Sequence, residues 1–493
     1  MEIGFDNNKY IEMQAARIHE RINQFGGKLY LEFGGKLFDD YHASRVLPGF
    51  EPDAKIRMLE HMKDDVEIVI VLSANDIEGS KRRSDIGITY DEDALRLMDA
   101  FQGMGLFVGS IVITHFTGQP HAEAFQRKLE ALGIKVYRHY MIDGYPSDLN
   151  HIVSDEGFGK NDYIETTKPL IVVTAPGPGS GKLATCLSQL YWENKRGIKA
   201  GYAKFETFPV WNLPLKHPVN LAYEAATADL DDRNIIDPFH LDAYGKVTVN
   251  YNRDVETFPV LKAMMDKIMG QSPYQSPTDM GVNMVGNCIC DDEVCCTASK
   301  NEIVRRYFRA AENLRASGSG RTEVEKLELL MNQANIDVNY SPAHKACLLK
   351  EEVTAHPAGA MVLPDGCVIT GKTSDLMGAA SSLLLNALKH MAGIDDDTMV
   401  ISETALEPIC KLKTDCLGSK NPRLHSDETL IALSISSSIS DKARRTIEAT
   451  PLLKGCDAYF SVIISETDKK TYRALGINVC CEPKYERRSY YHA

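Results

Sequence analysis

"KPLIVVTAPGPGSGKLATCLSQL", residues 168–190, decides the fold. Leu170 to Val173 is a continuous apolar run of the kind found in a strand buried on both faces. Pro176 to Gly181 alternates glycine with proline and serine. From Lys182 the apolar residues fall at helical spacing, and Gly197 closes that helix. Strand, glycine-rich loop and helix together form the frame of a phosphate-binding loop. Its backbone N–H groups point into one concavity, and the helix adds its positive dipole end.

The letters of that motif are Gly, four residues, then Gly-Lys-Ser/Thr. Residues 176–183 break them twice, with Pro176 in place of the first glycine and Leu183 in place of the hydroxyl residue. Pro176 removes one N–H where the loop leaves the strand, which leaves the later amides intact. Leu183 matters more, because it offers magnesium no ligand. "GCVITGKT", residues 366–373, obeys the letters in full. However, Cys367 to Thr370 is strand sequence, and Asp365-Gly366 before it is a hairpin turn signal. A chain in β conformation cannot wrap its amides around a phosphate. The reading therefore assigns phosphate binding to Gly177, Gly179, Ser180, Gly181 and Lys182, and a hairpin to 366–373.

Alternating strands and helices surround this stretch. "KLYLEF", "VEIVIVLSA", "GSIVITHF" and "KVYRHY" read as strands, with amphipathic helices between them. "KAGYAKFE" is a further strand after the glycine-rich loop. The fold class expected is α/β: two Rossmann-like parallel-sheet units, the second phosphate-loop-like, and a C-terminal α+β domain. The domain boundaries expected are 1–165, 166–335 (with a helical extension from 297) and 336–493. Residues 207–256 form a long irregular stretch, and such stretches carry function. "ETFPV" occurs at 206–210 and 256–260 with unmatched flanks, which reads as chance.

Composition bounds the function. The chain has 493 residues, 44% apolar and 25% charged, with a net charge of −13. That charge argues against a general nucleic-acid binder. No apolar run reaches the ~18–20 residues that span a bilayer. A cytoplasmic protein acting on a small molecule is expected, with homo-oligomerisation as the default for its size. "SKRRSD", residues 80–85, is the densest basic spot and reads as a solvated loop. Cys288, Cys290, Cys295 and Cys296 lack the spacing of zinc knuckles and read as ordinary cysteines, so zinc is not expected.

Other candidates follow from chemistry. Lys182 would offset the charge of a transferring phosphate. Gly34, Gly35, Lys36, Asp40 and Arg45 follow the first strand and suit an anionic substrate, with His42 as acid or base. If magnesium is bound, its carboxylates come from Glu206, Asp229, Asp231 or Asp232. Arg423, His425 and Asp427 in "NPRLHSDE" form a similar polar group near the C-terminus.

Two resemblances add to this. "KLYLEFGGKLFDDYHASRVLPGFEPD", "APGPGSGKLAT", "SPTDMGVNMVG" and "LGSKNPRLHSDE" resemble an uncharacterised bacterial family of chains of about this length (domain of unknown function 1846, uncharacterised protein family 0371). Some members carry the label of ATP-dependent peptidases. This chain has neither His-Glu-x-x-His nor Gly-x-Ser-x-Gly, so a peptidase is not expected. Locally, "GIKAGYAKFETFPV" is similar to the second strand of dethiobiotin-synthetase-like phosphate-loop enzymes, which implies Lys204 near the phosphates. Three functions remain open: an enzyme binding ATP or another phosphorylated ligand at 176–182 for phosphoryl transfer or ligation, a sugar-phosphate or nucleotide-sugar transferase without nucleotide hydrolysis, and a non-catalytic nucleotide sensor.

Overall fold

The computed structural model describes residues 2–35, 37–38, 40–83, 87–230 and 232–486. The chain divides into two compact units. The N-terminal unit comprises Glu2–Glu224 and Asp231–Ala298, and the C-terminal unit comprises Ala225–Leu230 and Ser299–Ala493.

The N-terminal unit is built on one parallel sheet. Its strands are β1 (Leu29–Phe33), β2 (Val66–Ser73), β3 (Phe107–Phe116), β4 (Val136–Tyr140), β5 (Leu170–Thr174) and β6 (Gly201–Phe205). A small antiparallel pair, β7 (Asn234–Ile236) and β8 (Val249–Tyr251), precedes the last sheet strand, β9 (Gly281–Val282). The sheet order is β4-β3-β2-β5-β1-β6-β9. All eight residues of β2 and all five of β5 are buried, so both faces of the sheet centre are covered. This is why both strands are apolar without alternation.

The expected α/β class is present, but the expected boundary at 165/166 is not. β5 lies between β2 and β1, pairing Leu170 with both Val66 and Leu29. The stretches 1–165 and 166–298 therefore share one sheet. A strand buried this deeply must pair its backbone N–H and C=O groups along both edges, and β5 finds those partners in the earlier half of the chain. The helices Arg321–Gln333 and most of Asp292–Ser317 belong to the C-terminal unit instead of extending the preceding domain.

The topology creates a crevice. The chain leaves β1 toward β2 on one side and leaves β5 toward β6 on the other, although β1 and β5 are adjacent. Loops departing in opposite directions open a cleft at the carboxyl ends of the strands.

The C-terminal unit carries a four-stranded mixed sheet, β11-β10-β12-β13, from β10 (Ala358–Val362), β11 (Val368–Lys372), β12 (Asp457–Phe460) and β13 (Asn478–Cys481). β10 and β11 form the expected hairpin, with Gly366 at φ +85° in the turn. Leu383, Leu384, Ala387 and Leu388 of the helix Ala379–Met391 pack into a core with Phe460 and Tyr472. The repeated "ETFPV" adopts two structures: 206–210 follows β6 without regular structure, while 256–260 lies inside the helix Asn252–Met269. Among the described residues, no helix is long and apolar enough to cross a membrane.

One buried group makes stability depend on pH. His139 of β4 is 3% exposed, and burial pushes its pKa down to about 4. Between the ordinary value of 6.5 and about 4, the unfolded chain takes up a proton that the folded chain refuses. This contribution is thus complete above 6.5 and is lost as pH falls toward 4, costing about 3 kcal/mol. Denaturant unfolding at stepped pH should record that loss, and His139→Gln should flatten it. An equal fall in the variant would assign the acid sensitivity elsewhere.

Candidate active site

The loop after β5 is shaped by its glycines. Gly179 (φ +74°) and Gly181 (φ +87°) adopt left-handed conformations that L side chains resist, and Gly181 caps the helix Lys182–Lys195. A Cβ at Gly177 would fall on the Tyr90 phenol, and one at Gly181 would come within 3.2 Å of Thr114. Thr114 Oγ1, at the end of β3, donates to the Ser180 carbonyl at 2.6 Å. Carbonyl and glycine surfaces are thus turned toward the protein. Among the described residues, no acceptor takes the N–H of Gly177, Gly179, Ser180, Gly181 or Lys182. The Ser180 hydroxyl, on a residue 3% exposed, likewise has no partner among them. Ser180 is the buried residue of this set, and an anion bound on the loop would take up its donors together with the more open amides of its neighbours.

Of these residues, Gly177 and Lys182 border a cavity of about 350 Å³ at the carboxyl ends of β1 and β5, while Gly179, Ser180 and Gly181 adjoin them in the loop. Gly177 and Lys182 line it from the loop, Phe33 and Gly35 from β1 and its exit. Arg83, Tyr90 and Arg96 line it from the connection between β2 and β3. The Asp93 carboxylate, fully buried, holds Arg83 Nη1 at 2.9 Å and Arg96 Nε at 2.7 Å. Among the described residues, Lys182, Arg83 and Arg96 thus bring positive charge to the cavity, two of them held by that one carboxylate. No carboxylate lines the cavity among the described residues.

Of "SKRRSD", read as a solvated loop, Ser80, Lys81 and Arg82 are exposed, Ser84 and Asp85 lie outside the described residues, and Arg83 departs from the reading. Its side chain is only 13% exposed, because the buried Asp93 draws it inward. Tyr90, Arg96 and Thr114 went unnoticed in the sequence. They stand far from the loop along the chain, and the short basic run was the single signal that pointed to this wall.

The other candidates are distributed differently. Asp40 caps the helix Tyr41–Val46 and pairs with Lys55 at 2.7 Å. Burial opposes the charge on Asp40, yet Lys55 and the Ala43 N–H hold its carboxyl below the usual range. Neither Asp40, His42 nor Arg45 lines the cavity, while Lys36 lies outside the described residues. Gly34, at the end of β1, adjoins the Phe205 carbonyl.

His42 packs edge-on against Phe208, with ring centroids 5.2 Å apart, and near Tyr223. Phe208, Tyr223 and Tyr251 stack in sequence. Lys204 lies over the Tyr251 ring and pairs with Asp254 and, at 3.0 Å, with Glu206. It is committed to a buried ionic cluster and does not line the cavity with Lys182. Burial opposes its charge, but Asp254, Tyr251 and Glu206 raise its pKa well above the ordinary value. One ammonium faces two carboxylates, and burial pushes the Glu206 carboxyl up to about 7.

The magnesium candidates do not converge. Glu206 is in the Lys204 cluster, Asp232 pairs with Arg253 at 2.6 Å, and Asp229 is exposed in the turn Ala228–Leu230. Asp231 lies outside the described residues. Of the four clustered cysteines, only Cys296 comes within coordination reach of other donor groups among the described residues, His217 and Asp292. There the Val219 N–H donates to His217 Nδ1 at 3.3 Å, which puts the ring proton on Nε2, facing Asp292 at 3.0 Å.

Comparison with known proteins agrees with the resemblance noted above. The pattern described as "Domain of unknown function DUF1846, N-terminal" matches residues 3–335, and its C-terminal counterpart matches 339–491. The UPF0371 protein cu0538 of Corynebacterium urealyticum is 56% identical over 490 residues, 99% of each chain. A UPF0371 protein of Streptococcus thermophilus is 56% identical over 483 residues, 98% of each chain.

Proposed function

The chain belongs to the DUF1846 family, and from that premise we propose an enzyme that binds a phosphorylated small molecule on Gly177–Lys182. It acts on that ligand by group transfer that needs no metal-assisted nucleotide hydrolysis. The observation that carries this reading is that Gly177 and Lys182, from a loop of amides without acceptors among the described residues, share one cavity with Arg83 and Arg96. Preorganised donors and cations stabilise charge that develops on phosphate oxygens during transfer. Here cations take the place that magnesium holds in ordinary phosphate loops, since Leu183 has no hydroxyl at the usual ligand position and no carboxylate lines the cavity among the described residues. Sugar phosphates and nucleotide sugars are the ligand class this chemistry suits.

A second reading, ATP-driven phosphoryl transfer or ligation, is favoured by the strand-loop-helix form itself. It requires a metal held by the substrates and not by this wall. Titration calorimetry with UDP-glucose and with ATP, each with magnesium and with EDTA, separates the two. Equal binding in EDTA supports the proposal. Binding only of ATP, and only with magnesium, supports the second reading. No binding of either ligand overturns both.

A further inference from the structure

The C-terminal unit holds a second cavity of about 360 Å³. Three helices begin at its wall. Ala379–Met391 is capped by Gly378, Ser426–Ser437 by His425, and Glu466–Ala474 by Ser465, and all three caps line the cavity. Arg423 adds a guanidinium, and Val462, Ile463 and Ile464 supply an apolar wall.

The histidine is held for a purpose beyond capping. Its Nδ1 lies 3.2 Å from Asp468 Oδ2 and 3.2 Å from Ser465 Oγ. The same carboxylate accepts from the Ser426 N–H at 2.8 Å, the Ser426 hydroxyl at 2.7 Å and the Ser465 hydroxyl at 2.7 Å. Asp468, 7% exposed, is thus fully engaged and orients the imidazole. His425 Nε2 has no hydrogen-bond partner among the described residues. The Asp468 hydrogen bond also raises the His425 pKa, favouring the imidazolium that donates from both nitrogens. The charge on Asp468 is offset by the His425 imidazolium, and Glu486 lies 3.5 Å from Arg423 Nη1, where an incoming anion would displace it.

We propose that this cavity is a second binding site, for an organic anion whose phosphate or carboxylate group meets Arg423, His425 and the N-terminus of the helix Ala379–Met391, which has no side-chain cap, while its apolar body lies on Val462–Ile464. The helix end favours negative charge, and the two side chains supply charge-assisted donors. The site lies in the C-terminal unit and the Gly177–Lys182 loop in the N-terminal unit.

The test uses the full chain carrying Lys182→Ala, so that the first site is weakened. Titration calorimetry with phenyl phosphate and with benzoate should give saturable binding of one molecule per chain by at least one of them, and the stronger probe identifies the preferred anion. Arg423→Ala and His425→Gln should each weaken it about tenfold or more. Glu486→Gln, which removes the competing carboxylate without touching a helix cap, should tighten it. Absence of saturable binding of both probes overturns the proposal, as does binding left unchanged by all three substitutions. If the cap variant fails to fold, Arg423→Ala and Glu486→Gln decide the matter in the same way.

Discussion

Lys182→Ala is expected to weaken binding of a phosphate-bearing ligand by about tenfold to a hundredfold. The rise in Tm that the ligand gives the unsubstituted chain should shrink with it. Lys182 opens the helix Lys182–Lys195 and lines the cavity, and no ion pair engages it among the described residues. Its ammonium is therefore available to the ligand, and removing it costs the fold within about 0.5 kcal/mol. The amides of Gly179, Ser180 and Gly181 stay in place, so residual binding should remain. Thermal unfolding with and without UDP-glucose provides the measurement. A variant that keeps the full ligand-induced rise would mean that the phosphate is held elsewhere.

Gly371→Ala should have a large effect of another kind. Gly371 is the second glycine of "GCVITGKT", the stretch that obeys the phosphate-loop letters. It sits in β11, paired with Gly359 across the hairpin, and a Cβ there would fall on the backbone of Leu383 in the helix Ala379–Met391. Strand and helix backbones touch at this point, and neither is a side chain that can swing away. The substitution should cost about 3 kcal/mol through overpacking, while the response to UDP-glucose at the first site persists. The exposed Lys372, changed to alanine, should alter stability within about 0.5 kcal/mol and leave ligand binding unchanged. Loss of UDP-glucose binding in a folded Lys372→Ala variant would return the phosphate site to 366–373.

Much of this architecture was legible because parallel strands buried on both faces leave long apolar runs. β2 and β5 were recognisable for that reason, and so was the hairpin marked by Asp365-Gly366. Sheet order was not legible. "VEIVIVLS" and "LIVVT" are chemically alike, and nothing within either says that β5 inserts between β2 and β1. Amphipathic helices are equally interchangeable, which is why 299–335 was read with the preceding domain. The glycine loop was local and could be read as such. The rest of its cavity was not, because Arg83, Tyr90 and Arg96 reach it, and the buried Asp93 holds the two arginines, only through the fold. Lys204 illustrates the converse. Its strand position suggested the phosphates, whereas Asp254, fifty residues later, supplies the charge that claims it.

The central claim is that the phosphate rests on Gly177–Lys182. A crystal of the full chain soaked with UDP-glucose tests it most directly. The account predicts density for a phosphate group within about 3 Å of the N–H groups of Gly179, Ser180 and Gly181, with Lys182 Nζ and the Arg83 guanidinium turned to its oxygens. A phosphate bound away from this loop, with those amides left unengaged, would contradict it.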